Sequence, residues 1–399
     1  MIEPFLSAVS VLKKIEDAGF EAFFVGGSVR DFILQKPIHD VDIASSATPE
    51  EVKRIFPKTI DIGIEHGTVL VLFNRNSYEI TTFRAESEYV DFRRPKEVVF
   101  IRSLEKDLER RDFTINAIAM DVNGRIHDPF GGRESITARE IKTVGKACER
   151  FREDALRMMR AVRFVSQLDF EIELQTLKAL KDLGYLLENI AVERKRAEFE
   201  KLISGPSRKK AINIMLETNL NQYLPGLENR KAELTTVLTY HCDVLNINEM
   251  WALLCFSIMK TGKNAEQFLR MWRLPVKQIK EIELILRFLL SRLEQEWTKY
   301  QLYSAGLNVL LSVERLYHVL MKSDHREAIE SLTNIYQNLP IKERTDLDLV
   351  GSDLVTWFNR KPGPWIKESL FKIESAVLEG LIENNKKKIK EWLLKCNQK

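Results

Sequence analysis

Apolar positions at Phe5, Leu6, Val9, Val11, Leu12 and Ile15 recur with a helical period that stops at Gly19. The pattern then changes. Ala22 to Val25 is an unbroken apolar run, read as a buried strand ending at Gly26-Gly27. A short helix is predicted from Ser28 to Leu34, with Ser28 as its cap. After Pro37, His39-Asp40-Val41-Asp42-Ile43 alternates polar and apolar, as a half-buried strand does, which places Asp40 and Asp42 on one face. Thr48-Pro49-Glu50-Glu51 opens another helix, ending near Phe56. Thr68 to Phe73 and Tyr78 to Phe83 are β-rich runs joined by a turn, with Glu79 inside the second.

Residues 84 to 97 are polar without clean periodicity and are read as a mobile loop beside the site. Arg110-Arg111-Asp112 is read as the first turn of an apolar helix through Ala119, where arginine opposes the helix dipole; that cost favours a ligand role for Arg111. Asp121 to Ile126 is a hairpin, and Asp128 to Gly132 a tight turn. From about residue 134 the period-2 signal gives way to helix, punctuated by Gly205-Pro206, Leu224-Pro225-Gly226, Leu274-Pro275 and Pro362-Gly363-Pro364. The fold class is therefore α+β: a head with a mixed β-sheet and helices, then an all-α remainder. Within it a helix from Arg152 to Phe164 carries Asp154, Arg157, Arg160 and Arg163 at three-residue spacing along one side.

Composition narrows the class. With 399 residues, 44% hydrophobic and 30% charged, the chain has the make-up of a soluble multidomain protein. Its longest apolar run, Trp251 to Met259, is too short to span a bilayer, and the N-terminus lacks the features of a signal peptide. Four cysteines without a C-x-x-C pair suit the cytoplasm. A net charge of +3 means that any nucleic-acid surface must come from local clustering, such as the lysine-rich end at Lys386 to Lys388, Lys390, Lys395 and Lys399. There is no P-loop.

The chemistry concentrates between Phe24 and Ile43. Gly-Gly at a strand-to-helix junction lets backbone approach an anion. Asp40 and Asp42, two hard oxygen donors, suit Mg²⁺. Arg30 is placed to clamp a triphosphate. Each feature alone is common; together within 20 residues they specify phosphoryl chemistry. In the Arg152 helix, an acceptor-only Asp154 beside a donor-only Arg157 matches the edges of cytosine and adenine, and mismatches uracil and guanine.

Val25-Gly26-Gly27-Ser28-Val29-Arg30-Asp31 with Asp40-Val41-Asp42 resembles the signature of the nucleotidyltransferase superfamily, which includes the poly(A) polymerases. Arg110 to Ala117, Asp128 to Gly132 and Glu153 to Arg160 complete an order similar to that of class II CCA-adding enzymes, the bacterial tRNA nucleotidyltransferases. The resemblance is dense to about residue 205 and looser beyond. It implies a catalytic head (1–146), a base-recognising neck (147–205), and a body (206–300) and tail (301–399) that hold tRNA. It also implies Mg²⁺-dependent, template-independent addition of CCA to tRNA 3′ ends from CTP and ATP, by a cytoplasmic monomer or homodimer. Asp40 and Asp42 would be the catalytic metal ligands. Gly27, Arg30, Arg111, Asp154, Arg157, Arg160 and Arg163 would bind the nucleotide, with Glu79 an open third carboxylate.

The intact Arg84 to Pro95 loop resembles full CCA enzymes and not CC-adding relatives, in which it is shortened. CC-adding, A-adding and poly(A)-polymerase activities are the enzymatic alternatives. A non-catalytic RNA-binding relative is expected to have lost Asp40 or Asp42. His241-Cys242-Asp243 is interrupted relative to the His-Asp pair of phosphohydrolase-bearing members, so no such second activity is expected.

Overall fold

The computed structural model describes residues 2–38, 40–63, 67–86, 89–90, 94–95, 98–260 and 264–396. Two compact units result, Met1–Lys231 and Ala232–Lys399. The first opens with α1 (Phe5–Asp17), β1 (Ala22–Val25), α2 (Gly27–Ile33), β2 (Asp42–Ser45), α3 (Pro49–Ile55), β3 (Thr59–Gly63), β4 (Thr68–Phe73) and β5 (Asn76–Thr82). It continues with β6 (Arg84–Glu86), β7 (Tyr89–Val90), β8 (Arg94–Pro95), β9 (Val98–Phe100), α4 (Leu104–Glu109), β10 (Ala119–Met120), β11 (Ile126–His127), α5 (Gly132–Ala138) and β12 (Glu140–Ile141). Then come α6 (Ala147–Glu153), α7 (Leu156–Leu168), β13 (Glu171–Ile172), α8 (Leu174–Leu183), α9 (Val192–Ser204) and α10 (Arg208–Glu217).

Seven strands form one mixed sheet in the order β11-β10-β1-β2-β5-β4-β3. β2 sits at its centre, antiparallel to β1 and parallel to β5. Phe5, Phe24, Val69, Val71 and Ile80 are fully buried, as expected where α1 covers one face of alternating strands. α3 starts at a capping box, in which Thr48 accepts from Glu51 N–H and Glu51 accepts from Thr48 N–H. Among its described residues the second unit holds helices and no strand, with a long helix at Val276–Glu294 and a second span, Lys299–Met321, broken by a non-helical Gly306. No helix among the described residues is long and apolar enough to cross a membrane.

Several local expectations are corrected. Ser28 is not a cap: α2 begins one residue earlier, from Gly26, and the Ser28 hydroxyl donates to Val25 C=O. The strand expected at 39–43 begins only at Asp42, so Asp40 lies ahead of β2; His39 is outside the described residues. The helix expected from Arg110 does not form. Arg110 and Arg111 instead close α4, whose N-cap is Ser103, and only a 3₁₀ turn, Thr114–Asn116, follows. Their charges thus face the negative end of a helix, which removes the dipole cost as an argument about Arg111. The helix expected from Arg152 is broken at Asp154, whose carboxylate accepts from Leu156 N–H two residues on at 3.0 Å, an Asx-type turn that competes with helix. The 84–97 stretch lies partly outside the described residues; the described parts form two antiparallel ladders, β6 with β9 and β7 with β8. β12 and β13 add a small parallel ladder within the region expected to be helical.

Candidate active site

Gly26 has φ +74° and ψ −135°, a backbone state in which a side chain is strained. A Cβ placed there would meet the Arg111 Nη1 at 3.0 Å and the Asp42 carboxylate at 3.9 Å. The missing side chain therefore lets a guanidinium and a carboxylate approach one backbone turn. At Gly27, φ is unexceptional and a Cβ would make only ordinary contact with Arg30. The demanding glycine is Gly26 rather than Gly27.

Asp42 starts β2, with Val25 of β1 on one side and Glu79 of β5 directly opposite on the other. Packing around the Asp42 carboxyl raises its pKa; Arg111 opposes the rise and Asp40 adds to it. Asp40, Asp42 and Glu79 all line a cleft of about 480 Å³. No group of three metal-ligating side chains closes into a cage among the described residues. Two neighbouring carboxylates, Asp40 and Asp42, the second holding its charge at a cost, beside an open cleft fit a hard divalent cation that takes one or two carboxylates and completes its shell with substrate oxygens.

The arginines occupy a connected, largely buried network. Arg111 Nη2 pairs with Asp107 at 3.2 Å and its Nη1 donates to Asn116 C=O at 3.4 Å. Burial alone would push the Asp107 carboxyl up, but Arg110 and Arg111 hold it below the usual range. Arg30 donates from Nη1 to Asn116 Oδ1 at 2.7 Å and pairs with Asp31 at 2.9 Å. Asn116 Nδ2 donates onward to Asp112 at 3.2 Å, and Asp112 accepts from Arg160 Nε at 2.6 Å. Asp112 is buried, which would raise its pKa; Arg160 and Asn116 outweigh this and hold it at about 2. Arg163 pairs with Glu198 at 3.1 Å, and burial still pulls its pKa down to about 10. The Phe164 ring lies 5.3, 5.6 and 4.2 Å from the guanidinium carbons of Arg30, Arg160 and Arg163.

This geometry excludes a solvated arginine stripe, since Arg157 and Arg163 are 7% and 6% exposed. Asp154 and Arg157 each have a separate partner. Asp154 pairs with Arg194 at 2.8 Å, while Arg157 is anchored by Glu153 and by the carbonyls of Arg150 and Arg110. Asp107, Asn116, Phe164, Arg194 and Glu198 are structural members of the site that sequence reasoning missed. Their signal was faint: polar or aromatic residues far apart in sequence, joined only by the fold.

The family model of the poly A polymerase head domain matches residues 22–142. That of a probable RNA- and SrmB-binding site of polymerase A matches 169–231, and that of a putative tRNA nucleotidyltransferase domain 2 matches 243–393. The CCA-adding enzymes of Bacillus cereus AH820 and Bacillus anthracis A0248 are each 46% identical to this chain over 397 residues, spanning 99% of it and all of the relative. The chain belongs to the CCA-adding enzymes. Membership makes it a nucleotidyltransferase. The solved CCA-adding enzyme of Bacillus stearothermophilus in complex with CTP is 45% identical, with a TM-score of 0.93 over 100% of this chain and 98% of that one. The Thermotoga maritima CCA-adding enzyme complexed with tRNA_CCA, 20% identical with a TM-score of 0.61 over 99% of this chain and 96% of that one, shares the fold.

Proposed function

We propose that this CCA-adding enzyme builds and repairs the CCA end of tRNA from CTP and ATP without a nucleic-acid template, in the cytoplasm, as a monomer or homodimer. The observation that best supports the reading is the meeting of Asp42, Arg111 and Gly26 at one backbone turn, with Arg30 behind it on α2.

Asp40 and Asp42 would hold Mg²⁺, which would supply charge neutralisation at the α-phosphate and a lowered pKa for the attacking 3′-hydroxyl. The 3′-oxygen bonds to the α-phosphorus as the bond to the bridging oxygen breaks, with net release of a proton and pyrophosphate. Gly26 and Gly27 admit the triphosphate close to backbone. Arg30 and Arg111 stabilise the charge of the leaving group, fixed in advance by Asn116 and Asp107, so that catalysis is mainly positioning and electrostatics.

The base is read by Asp154 as acceptor and Arg157 as donor, a pair that accepts C and A and rejects U and G. Arg194 and Glu153 orient them. Arg160 and Arg163, braced by Asp112 and Glu198, complete the pocket with positive charge. Residues 1–146 act as catalytic head, 147–205 as neck, and 206–300 and 301–399 as a body and tail that hold tRNA by shape and phosphates. The 84–97 stretch is the lever that admits A after two C additions.

The test is extension of a tRNA ending at its discriminator base, with Mg²⁺ and each nucleoside triphosphate singly and then mixed. Three nucleotides from CTP plus ATP is the expected product. Two C's alone indicate a CC-adding enzyme, long A tails a poly(A) polymerase, and no incorporation an RNA-binding relative.

A further inference from the structure

Asp42 begins a row that runs across four strands: Asp42 faces Glu79, Glu79 faces Leu70, and Leu70 faces Ile60. Side-chain alternation puts this row on one face of the sheet. Val69, Val71, Tyr78 and Ile80 point to the buried face, which leaves Leu70, Leu72, Ser77 and Glu79 on the other. There Leu72 is 41% exposed and Ile60 48%. The cleft at the carboxylates reaches this surface at Leu70 and Ser77, and Leu72 and Ile60 continue the face beyond its lining. No cation is among its described lining residues.

The two flanks of Asp42 therefore differ in chemistry. Towards β1 lie Gly26 and the Arg111 guanidinium. Towards β5, β4 and β3 lie a carboxylate, a hydroxyl and an aliphatic shelf. In nucleotidyl transfer the attacking and leaving oxygens stand roughly in line across the phosphorus. The leaving pyrophosphate needs the basic flank, so the attacking hydroxyl arrives from the other. A cleft whose described lining holds no cation is poor for a triphosphate, while the aliphatic surface beyond it, with Lys58 beside Leu72 at its far edge, suits the face of a base, and its oxygens suit ribose hydroxyls.

We propose that the exposed face of β5, β4 and β3 seats the terminal nucleoside of the acceptor RNA, its ribose against Asp42 and Ser77 and its base over Leu70, Leu72 and Ile60. This rests on the nucleotidyl-transfer reading above. Beyond Asp42, it assigns an RNA-end subsite to residues that neither the motifs nor the arginine network includes.

The test is the double substitution Ile60→Ser and Leu72→Ser, at positions exposed enough that the fold does not depend on them. Steady-state extension of a tRNA ending in CC gives the KM for tRNA, and equilibrium titration gives the Kd for ATP and CTP. The expected result is a KM for tRNA raised about 5-fold or more, since a base loses its stacking surface, with both nucleotide Kd values unchanged. Leu72→Met, which retains an aliphatic surface, keeps the parental KM. An unchanged KM for tRNA in the double variant overturns the proposal, as does a nucleotide Kd that weakens in parallel. If the unsubstituted protein itself extends no tRNA, the functional reading fails and takes this subsite with it; if it does and the double variant behaves identically, only the subsite fails.

Discussion

Asn116 accepts from Arg30 and donates to Asp112, so one amide joins α2 of the head to Arg160 of α7. An amide can do both, whereas a carboxylate at that position offers acceptors alone. Asn116→Asp places a like charge beside buried Asp112, and Asn116→Ala leaves Arg30 and Asp112 short of a partner. We expect either change to cost about 1–3 kcal/mol of stability, as for a buried hydrogen bond to charged groups. The drop in kcat/KM for nucleotide addition should exceed the stability effect. Urea denaturation alongside initial-rate assays measures both.

The Asp112–Arg160 contact also sets a pH window. Asp112 is depressed to about 2 in the fold, against an ordinary value near 3.8. Its contribution to stability is therefore complete above the unfolded-state value and is lost as pH falls from about 4 towards 2. Comparing the protein with Asp112→Asn in urea titrations from pH 7 downward should show a constant difference to about pH 5 and a narrowing one below it. A difference that widens in acid would contradict the assignment.

Gly26→Ala introduces a Cβ at 3.0 Å from Arg111 and at a positive φ. Backbone strain of this kind costs about 1–3 kcal/mol. The displaced guanidinium should lower kcat/KM by more than about 10-fold, since a misplaced positioning group is costly. Gly27→Ala, which meets only ordinary contact, should fall well short of that loss. Thermal melts and rates on the two variants separate strain from site damage.

Asp42 sits in the opposite electrostatic situation from Asp112. Its pKa is raised, first by burial and further by Asp40, so its charge is carried at neutral pH against the interest of the fold. That cost disappears as pH falls through the raised value, which makes the neutral form the more stable one. Asp42→Asn should therefore melt higher than the parent at pH 7 in EDTA, with the gap closing in acid. It should also lose at least about 100-fold in nucleotide transfer, given the several kcal/mol that metal-held charge contributes. A variant that is both less stable in EDTA and active would sink the metal assignment.

Arg194 holds the Asp154 carboxylate at 2.8 Å. Arg194→Ala should leave the fold intact but release that carboxylate from its bearing on the base. We expect discrimination of CTP and ATP against UTP and GTP to fall by about 10-fold, a loss typical of a loosened hydrogen-bonding site. Competition assays with mixed nucleotides read the ratio directly.

The elements that rest on local signals were legible. The strand Ala22–Val25 is a run of apolar residues ended by Gly26, and α3 carries its own cap in Thr48, Pro49 and Glu51. The Asp121 to Ile126 hairpin has its turn residues in place. Where competing interactions decide, the sequence misled. Asp154 looks like one more helical residue until its carboxylate is seen to take the Leu156 N–H, and Arg111 looks like a helix start until α4 is seen to end there.

Residue types and spacing by themselves pointed to phosphoryl chemistry at a glycine turn with nearby carboxylates and arginines, followed by a helical remainder. Spacing is a property of the chain, and periodicity reports local structure. Tertiary structure alone decided which charges meet: Asp112 with Arg160 across 48 residues, Asp154 with Arg194 across 40, and Glu79 beside Asp42 by strand register. The reason is physical. Burying an arginine is tolerable only where a carboxylate or carbonyl arrives to meet it, and that partner is chosen by packing and pairing between distant segments.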